Sequence, residues 1–539
     1  MRKAACLLCV LVITVTAFAQ SQATRAKIDQ ISTCVAEGKK DKADKLFKEV
    51  LHDLPTNRNA IVNTAYQFRN RMLYDYALAV FDKGAAISTE GDPFYIERAN
   101  LCQSMNNYQQ AFEYYFLELE AHPEQYNNIK NQFQTLLFYD VNKSIADEMR
   151  IALLQKNQEH PDNAEYAMLL VWYALRNEDY DIALLQCKSL DKRFNNQDAQ
   201  IVNIGQICLN NGQYDLAKDA FEYVVGKGKI NPQYGNALLG AIETENARCK
   251  ADPATDRKTY ERLSRRIEES YDDVGSKDYP KLVAIQADVM AYRLDQTADA
   301  IALLQHAIEL TQNKNQQCLL KLNLADIYLF SDEVWEATLL YSQVDKAMKE
   351  EPLGHEARFR NAQLRYFIGE FAWAQTQLDV LKAATSKLIA NDAMSLSLVI
   401  GDNLEADTTG AELQRVARAD YKIYQHKEDE ALRILDSICA TGNDISKPHA
   451  LCRIAEIREG NHDFALADSL YLQVVTLYPE SYMADDALMK AALIEDQYLH
   501  DKEAAKQHYE QLIDQYPTSL YTAQAKKNYR KLGVRSEKL

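Results

Sequence analysis

Two stretches near the end of the chain constrain its fold more than any other feature: YLQVVTLYPESY from Tyr471 and, 38 residues on, YEQLIDQYPTSLY from Tyr509. In each, an aliphatic residue follows the leading tyrosine by three positions, and Tyr-Pro and a serine come at matching offsets. Proline has no N–H to donate and blocks the continuation of a helix, so each copy reads as a helix with a stop. The block recurs backward through the sequence. ADKLFKEVLHDLP carries Ala43, Phe47, Val50 and Pro55; YDYALAVFDKG carries Tyr74, Ala77 and Phe81; YQQAFEYYFLELEAHP carries Tyr108, Ala111, Tyr115 and Pro123. YDIALLQCKSL places Tyr180, Ala183, Cys187 and Leu190 in the same frame, and YDLAKDAFEYV places Tyr214, Ala217, Phe221 and Val224. Later copies centre on Ala300, Ala337, Ala374, Ala431, Ala467 and Ala505. The alanines are 34 residues apart from Ala43 to Ala77 to Ala111 and from Ala183 to Ala217, 37 from Ala300 to Ala337 to Ala374, and 36 then 38 at the end.

About twelve residues ahead of the alanine stands a second small residue in an apolar pattern: Ala65, Ala99, Gly205, Ala325, Ala362, Ala419 and Ala455. Each unit therefore predicts two amphipathic helices, A and B, with small residues where the backbones approach. A helix-turn-helix of this period and pattern resembles the tetratricopeptide repeat family. The resemblance implies an all-α, right-handed superhelical solenoid. A single hairpin cannot bury its apolar face, so neighbours stack and share one core. Only 17 Gly and 11 Pro in 539 residues agree with long helices joined by tight connections.

Three gaps break the period. Between Ala111 and Ala183 there is room for one degenerate unit, with Ala146 in VNKSIADEMRIALL and Pro161 as its stop. Between Ala217 and Ala300, QYGNALLGAIETENARCK supplies one helix and the charged RKTYERLSRRIEESYDDVG is expected to supply a longer one, an atypical pair with loops at KADPATD and VGSKDYP. Between Ala374 and Ala431, KLIANDAMSLSLVIGDNL supplies an extra helix. The expected organisation is a signal peptide over 1–19, an N-terminal repeat arm over 20–230, an atypical helical pair or joint over 231–283, middle repeats over 284–385, and C-terminal repeats with a capping helix over 386–539.

MRKAACLLCVLVITVTAFAQ begins with Arg2 and Lys3, continues apolar to Phe18, and offers Ala17-Phe18-Ala19 for cleavage before Gln20, the pattern of a secretory signal. The expected location is the periplasm, with a soluble mature chain and any attachment to the outer membrane made through a partner. Removing Arg2 and Lys3 takes the net charge from −17 to −19. That charge opposes nucleic-acid binding and direct membrane association, which need a basic footprint. The eight cysteines beyond the signal are scattered, with no CxxC, and read as buried free thiols.

No P-loop, GxGxxG, GxSxG or HExxH occurs in the sequence, and the expectation is a chain without catalysis, cofactor or metal. The ten histidines are dispersed and read as surface or capping residues; Asp402, Glu405 and Asp407 lack calcium-loop spacing and read as linker or cap. Tyr108, Tyr115, Tyr214, Tyr341 and Tyr471 fall at core positions. Carrying the tetratricopeptide register across places Tyr66, Arg69, Asn100, Gln103, Trp172, Arg176 and Gln206 on the concave helix-A face, a mixture suited to gripping an extended peptide. Those positions face solvent in any such repeat, so the pattern selects a face and not a ligand.

The C-terminal copies, YPESYMADDALMKAALIEDQYLHDKEAAKQHYEQLIDQYPTS, resemble envelope repeat proteins such as the periplasmic coordinator of the Tol-Pal system and outer-membrane assembly proteins. KLIANDAMSLSLVIGDNLEADTTGAELQRVARADYKIYQHKEDEAL resembles longer exported tetratricopeptide proteins of Bacteroidota. These likenesses imply a scaffold for envelope proteins or their peptide segments. The alternative is a periplasmic chaperone or carrier that binds exported polypeptides transiently.

Overall fold

The computed structural model describes residues 22–89, 91–140, 143–252, 254–382 and 387–536, so the signal expected over 1–19 lies outside them. Among the described residues there are 28 α-helices and no strand. The chain forms two compact units, Met1–Ile204 and Gly205–Leu539.

The first unit holds five hairpins: 22–36 with Lys40–His52, Arg58–Arg69 with Tyr74–Ile87, Tyr95–Ser104 with Tyr108–Ala121, Tyr126–Tyr139 with Ser144–Glu159, and Ala164–Arg176 with Tyr180–Phe194. The repeat alanines Ala43, Ala65, Ala77, Ala99, Ala111 and Ala183 are all fully buried, which is what lets helices A and B approach. Asn57 and Asn163 cap their helices, their Oδ1 accepting from the N–H of Ala60 and Tyr166, both at 2.9 Å. The hairpin 126–159 departs from the pattern. Ala146 is only half-buried, and Ile145, Met149 and Leu153 fill the core against Ile129 and Phe133 instead. Larger side chains at the crossing replace close backbone approach by ordinary side-chain packing.

The turn from helix A to helix B recurs with one geometry. Gly38, Met72, Asn106 and Glu178 have φ of 73°, 57°, 55° and 62°. The next residue donates its N–H five positions back, Leu73 to Phe68 at 3.0 Å, Asn107 to Cys102 at 2.9 Å and Asp179 to Ala174 at 2.9 Å. This is a Schellman closure, which satisfies carbonyls that the helix end leaves open.

The second unit continues with Tyr214–Val225, then Tyr234–Ala251 with Arg257–Glu269, Tyr279–Arg293 with Thr297–Leu310, Lys314–Phe330 with Val334–Ala347, and Pro352–Phe367 with Phe371–Leu381. In the atypical pair the charged helix is the shorter, ending at Glu269. The lone helix Lys387–Ala406 follows, then three more hairpins: Ala411–Tyr424 with Glu428–Thr441, Ser446–Gly460 with Phe464–Leu477, and Ala484–Ile494 with Lys502–Gln515. Thr522–Ser536 closes the stack through fully buried Ala525. The same turn recurs here at Asp332, Gly369, His426 and His462, each with positive φ. Phe221 makes one of the tight crossings: its ring lies where a Cβ on Gly240 would come within 2.4 Å and one on Gly205 within 2.9 Å, so a side chain at either position would push the ring aside.

Of the five tyrosines expected in cores, Tyr115, Tyr341 and Tyr471 are at most 1% exposed. Tyr108 and Tyr214 are half-buried, because they begin their helices and cover the edge of the core rather than enter it.

Candidate binding face

The helix-A residues singled out in the sequence meet different fates. In the first unit the Arg69 guanidinium lies 4.3 Å from the centroid of the Tyr66 ring, a cation–π contact on a half-buried face. Asn100 and Gln103 converge on one buried hydroxyl. Tyr115 donates to Asn100 Oδ1 at 3.1 Å and accepts from Gln103 Nε2 at 2.6 Å. Trp172 is half-buried against the apolar core around Tyr166 and Tyr173, while Arg176 is exposed one turn along the same helix. Gln206, in the helix Asp198–Asn210, is exposed and donates to Asn210 at 3.1 Å.

The sequence reading missed a denser arrangement in the second unit. Asp326 pairs with Arg360, which also reaches Glu356 at 2.8 Å. Asp420 pairs with Arg453 at 3.0 Å; Arg453 pairs with Glu456 at 2.6 Å; Glu456 pairs with Lys490 at 2.7 Å. Lys250 pairs with Asp288 in the same way. The signal was available: Asp326 with Arg360 and Glu456 with Lys490 are opposite charges 34 positions apart, one repeat along.

Tyrosine hydroxyls fix two of these carboxylates, Asp326 and Asp420, and also Glu459 of the helix Ser446–Gly460. Tyr341 donates to Asp326 at 2.6 Å, Tyr366 to Asp420 at 2.7 Å and Tyr471 to Glu459 at 3.0 Å. Burial pushes the Asp326 carboxyl up to about 6, although Arg360 and the Tyr341 hydrogen bond oppose it. At Asp420 burial acts in the same direction, but Arg453 and His449 together outweigh it and hold the carboxyl well below the usual range. Asp326 has one cation and one tyrosine hydroxyl to set against its burial, whereas Asp420 has Arg453, His449 and a tyrosine hydroxyl, and its carboxylate stays ionised.

Two histidines correct the surface reading. His449 is 1% exposed with Nε2 3.2 Å from Asp420, and His508 Nδ1 lies 2.8 Å from buried Glu495. Asp407 is a cap, accepting from the N–H and Oγ1 of Thr409 and the N–H of Glu412. No group of three His, Cys, Asp or Glu able to hold a metal ion occurs among the described residues. All eight cysteines there are unpaired; seven are buried, and burial pushes the thiols of Cys187 and Cys452 up to about 12.

Residues 201–225 and 486–519 each match a tetratricopeptide repeat family model. Those two stretches carry the tetratricopeptide repeat pattern. The second matched stretch holds the phrase from Tyr509 as far as Ser519, and the first contains Tyr214, Ala217 and Phe221. Among solved structures the chain is similar to Naa15/Naa10 bound to HypK-THB, at 12% identity and TM-score 0.27, over 94% of this chain and 91% of that one. It is also similar to a tetratricopeptide repeat protein from Parabacteroides merdae, at 13% identity and TM-score 0.25, over 54% of this chain and 92% of that one. No curated protein matches the chain.

Proposed function

We infer that this protein is an exported scaffold of the bacterial cell envelope, binding other envelope proteins or their extended segments without a covalent step. Protein binding is the work that tetratricopeptide repeats imply. The observation that carries it is the preorganisation of the helix-A faces. Asn100, Gln103, Asp326 and Asp420 are each held in place by a buried tyrosine hydroxyl, so their ordering cost is met before any partner arrives. Export is supported by the N-terminal sequence. No described helix is long and apolar enough to cross a membrane.

The test is crosslinking in intact cells, followed by affinity purification of the tagged mature chain and mass spectrometry. One or two envelope proteins recovered in near-equal amounts support the scaffold. A broad set of exported polypeptides points to a carrier, and recovery of nothing above background removes both.

A further inference from the structure

The lone helix Lys387–Ala406, the insertion that breaks the two-helix period, forms one wall of a cleft of about 500 Å³. Asp420, His449 and Arg453 lie on its floor. Leu396, Val399 and Met483 line an apolar side, and Asp392, Asp485 and Asp486 stand among its acidic groups.

The cleft has more negative charge than it neutralises. Its only lysine or arginine, Arg453, is committed to Asp420 and Glu456, while Lys490 serves Glu456 at 2.7 Å and Asp486 at 3.7 Å. Asp392 and Asp485 have no cationic partner among the described residues. Two lining residues also carry a buried polar atom with no hydrogen-bond partner, His449 at Nδ1 and Tyr482 at its hydroxyl. His449 is 1% exposed. The tautomer that donates Nε2–H to Asp420 leaves Nδ1 as an acceptor. Orphaned buried polar atoms are costly, and their presence beside unpaired carboxylates indicates a missing donor.

The geometry points to a site for an arginine side chain on an extended segment of a partner protein. The apolar wall would cover its aliphatic stem, and the planar guanidinium offers five N–H donors to the carboxylates, Tyr482 and His449. The chain's net charge of −17 favours such a basic partner over long range. This assignment rests on the scaffold reading and names the chemistry that one part of the scaffold selects.

The probe is the capped tripeptide acetyl-Gly-Arg-Gly-amide, with acetyl-Gly-Gln-Gly-amide as control, titrated calorimetrically into the mature protein at low salt. The arginine peptide is expected to bind and the glutamine peptide to bind at least about tenfold more weakly, the scale of one charge-assisted hydrogen bond. Asp392→Asn with Asp485→Asn is expected to weaken the arginine peptide by a similar factor. Asp299→Asn with Asp436→Asn, an equal charge change at exposed positions outside the cleft, is expected to leave it unchanged. No preference for arginine, or equal losses in both double variants, overturns the site. If the cleft variant loses its helical circular dichroism, Tyr482→Phe takes its place: a severalfold loss supports the site and unchanged affinity overturns it. A wild-type chain that captures envelope partners in cells but shows no preference for the arginine peptide rejects the cleft alone. A chain that captures none rejects the scaffold, whatever the peptide does.

Discussion

Tyr341 belongs to two environments at once. Its ring stands four positions after Ala337 in the apolar core, and its hydroxyl passes out of that core to Asp326 on helix A. Tyr341→Phe keeps the ring and deletes the donor. The expected result is a loss of about 1–2 kcal/mol in urea unfolding. In the same variant the Asp326 carboxyl should titrate higher still than about 6, because a hydrogen bond that favours its ionised form is gone; carboxyl NMR reads this directly. Met72 offers the opposite experiment. Its side chain is 75% exposed and its φ is 57°, a left-handed conformation that a side chain disfavours. Met72→Gly should stabilise the chain by about 1 kcal/mol in denaturant unfolding, and a loss of stability would count against the closure described for this turn. At this scale the sequence was partly legible. The periodicity put the Tyr115, Tyr341 and Tyr471 rings in the core, but periodicity treats Tyr like Phe and says nothing of where the hydroxyl goes. Met, Glu and His at the turn positions carry no left-handed signal of their own, so the recurring closure was invisible.

At the level of elements, the buried alanines marked the hairpins because their spacing records a packing requirement. The hairpin 126–159 was marked less well, since Ile145, Met149 and Leu153 satisfy the same core without a small residue at the crossing. The charge pairs between helices A were missed for a different reason. A solvent-facing register position is open to any polar residue, and only the match between successive copies shows that Asp326 answers Arg360. The helix Ala484–Ile494 continues as a π-helical turn, Glu495–Leu499, where Tyr498 stacks on Phe464 with centroids 4.0 Å apart. The hydrogen bond to Glu495, with Asp468 and Asp501 adding to it, raises the His508 pKa above its ordinary 6.5. The folded state therefore holds this proton more tightly than the unfolded chain does. The pair's contribution is fully present below pH 6.5 and is lost as pH rises through the raised folded value. Thermal midpoints measured from pH 5.5 to 8.5 should fall through that window, and His508→Gln should flatten the fall.

For the whole molecule, the cysteines make a test independent of any partner. None of the eight in the described residues is paired, and only Cys439 is half-exposed. Iodoacetamide under native conditions should label Cys439 first and leave the other seven largely protected, with all eight reacting in denaturant, as read by peptide mass spectrometry. Reductant should leave the thermal midpoint unchanged; a drop of several degrees would reveal a disulfide and contradict the unpaired arrangement.

The ion pairs that join one hairpin to the next also bear on how such an array can change over generations. Arg453 answers Asp420 in the copy before it, and Lys490 answers Glu456 in the copy before that lysine. Excising or duplicating one of these hairpins would take a half-buried charge away from its cross-repeat partner, and breaking such a pair costs far more than an exposed one is worth. Apolar stacking alone would let copies be gained and lost freely. These cross-repeat charges tie the second unit to a fixed copy number, so its lineage is expected to vary by substitution within hairpins rather than by their addition or loss.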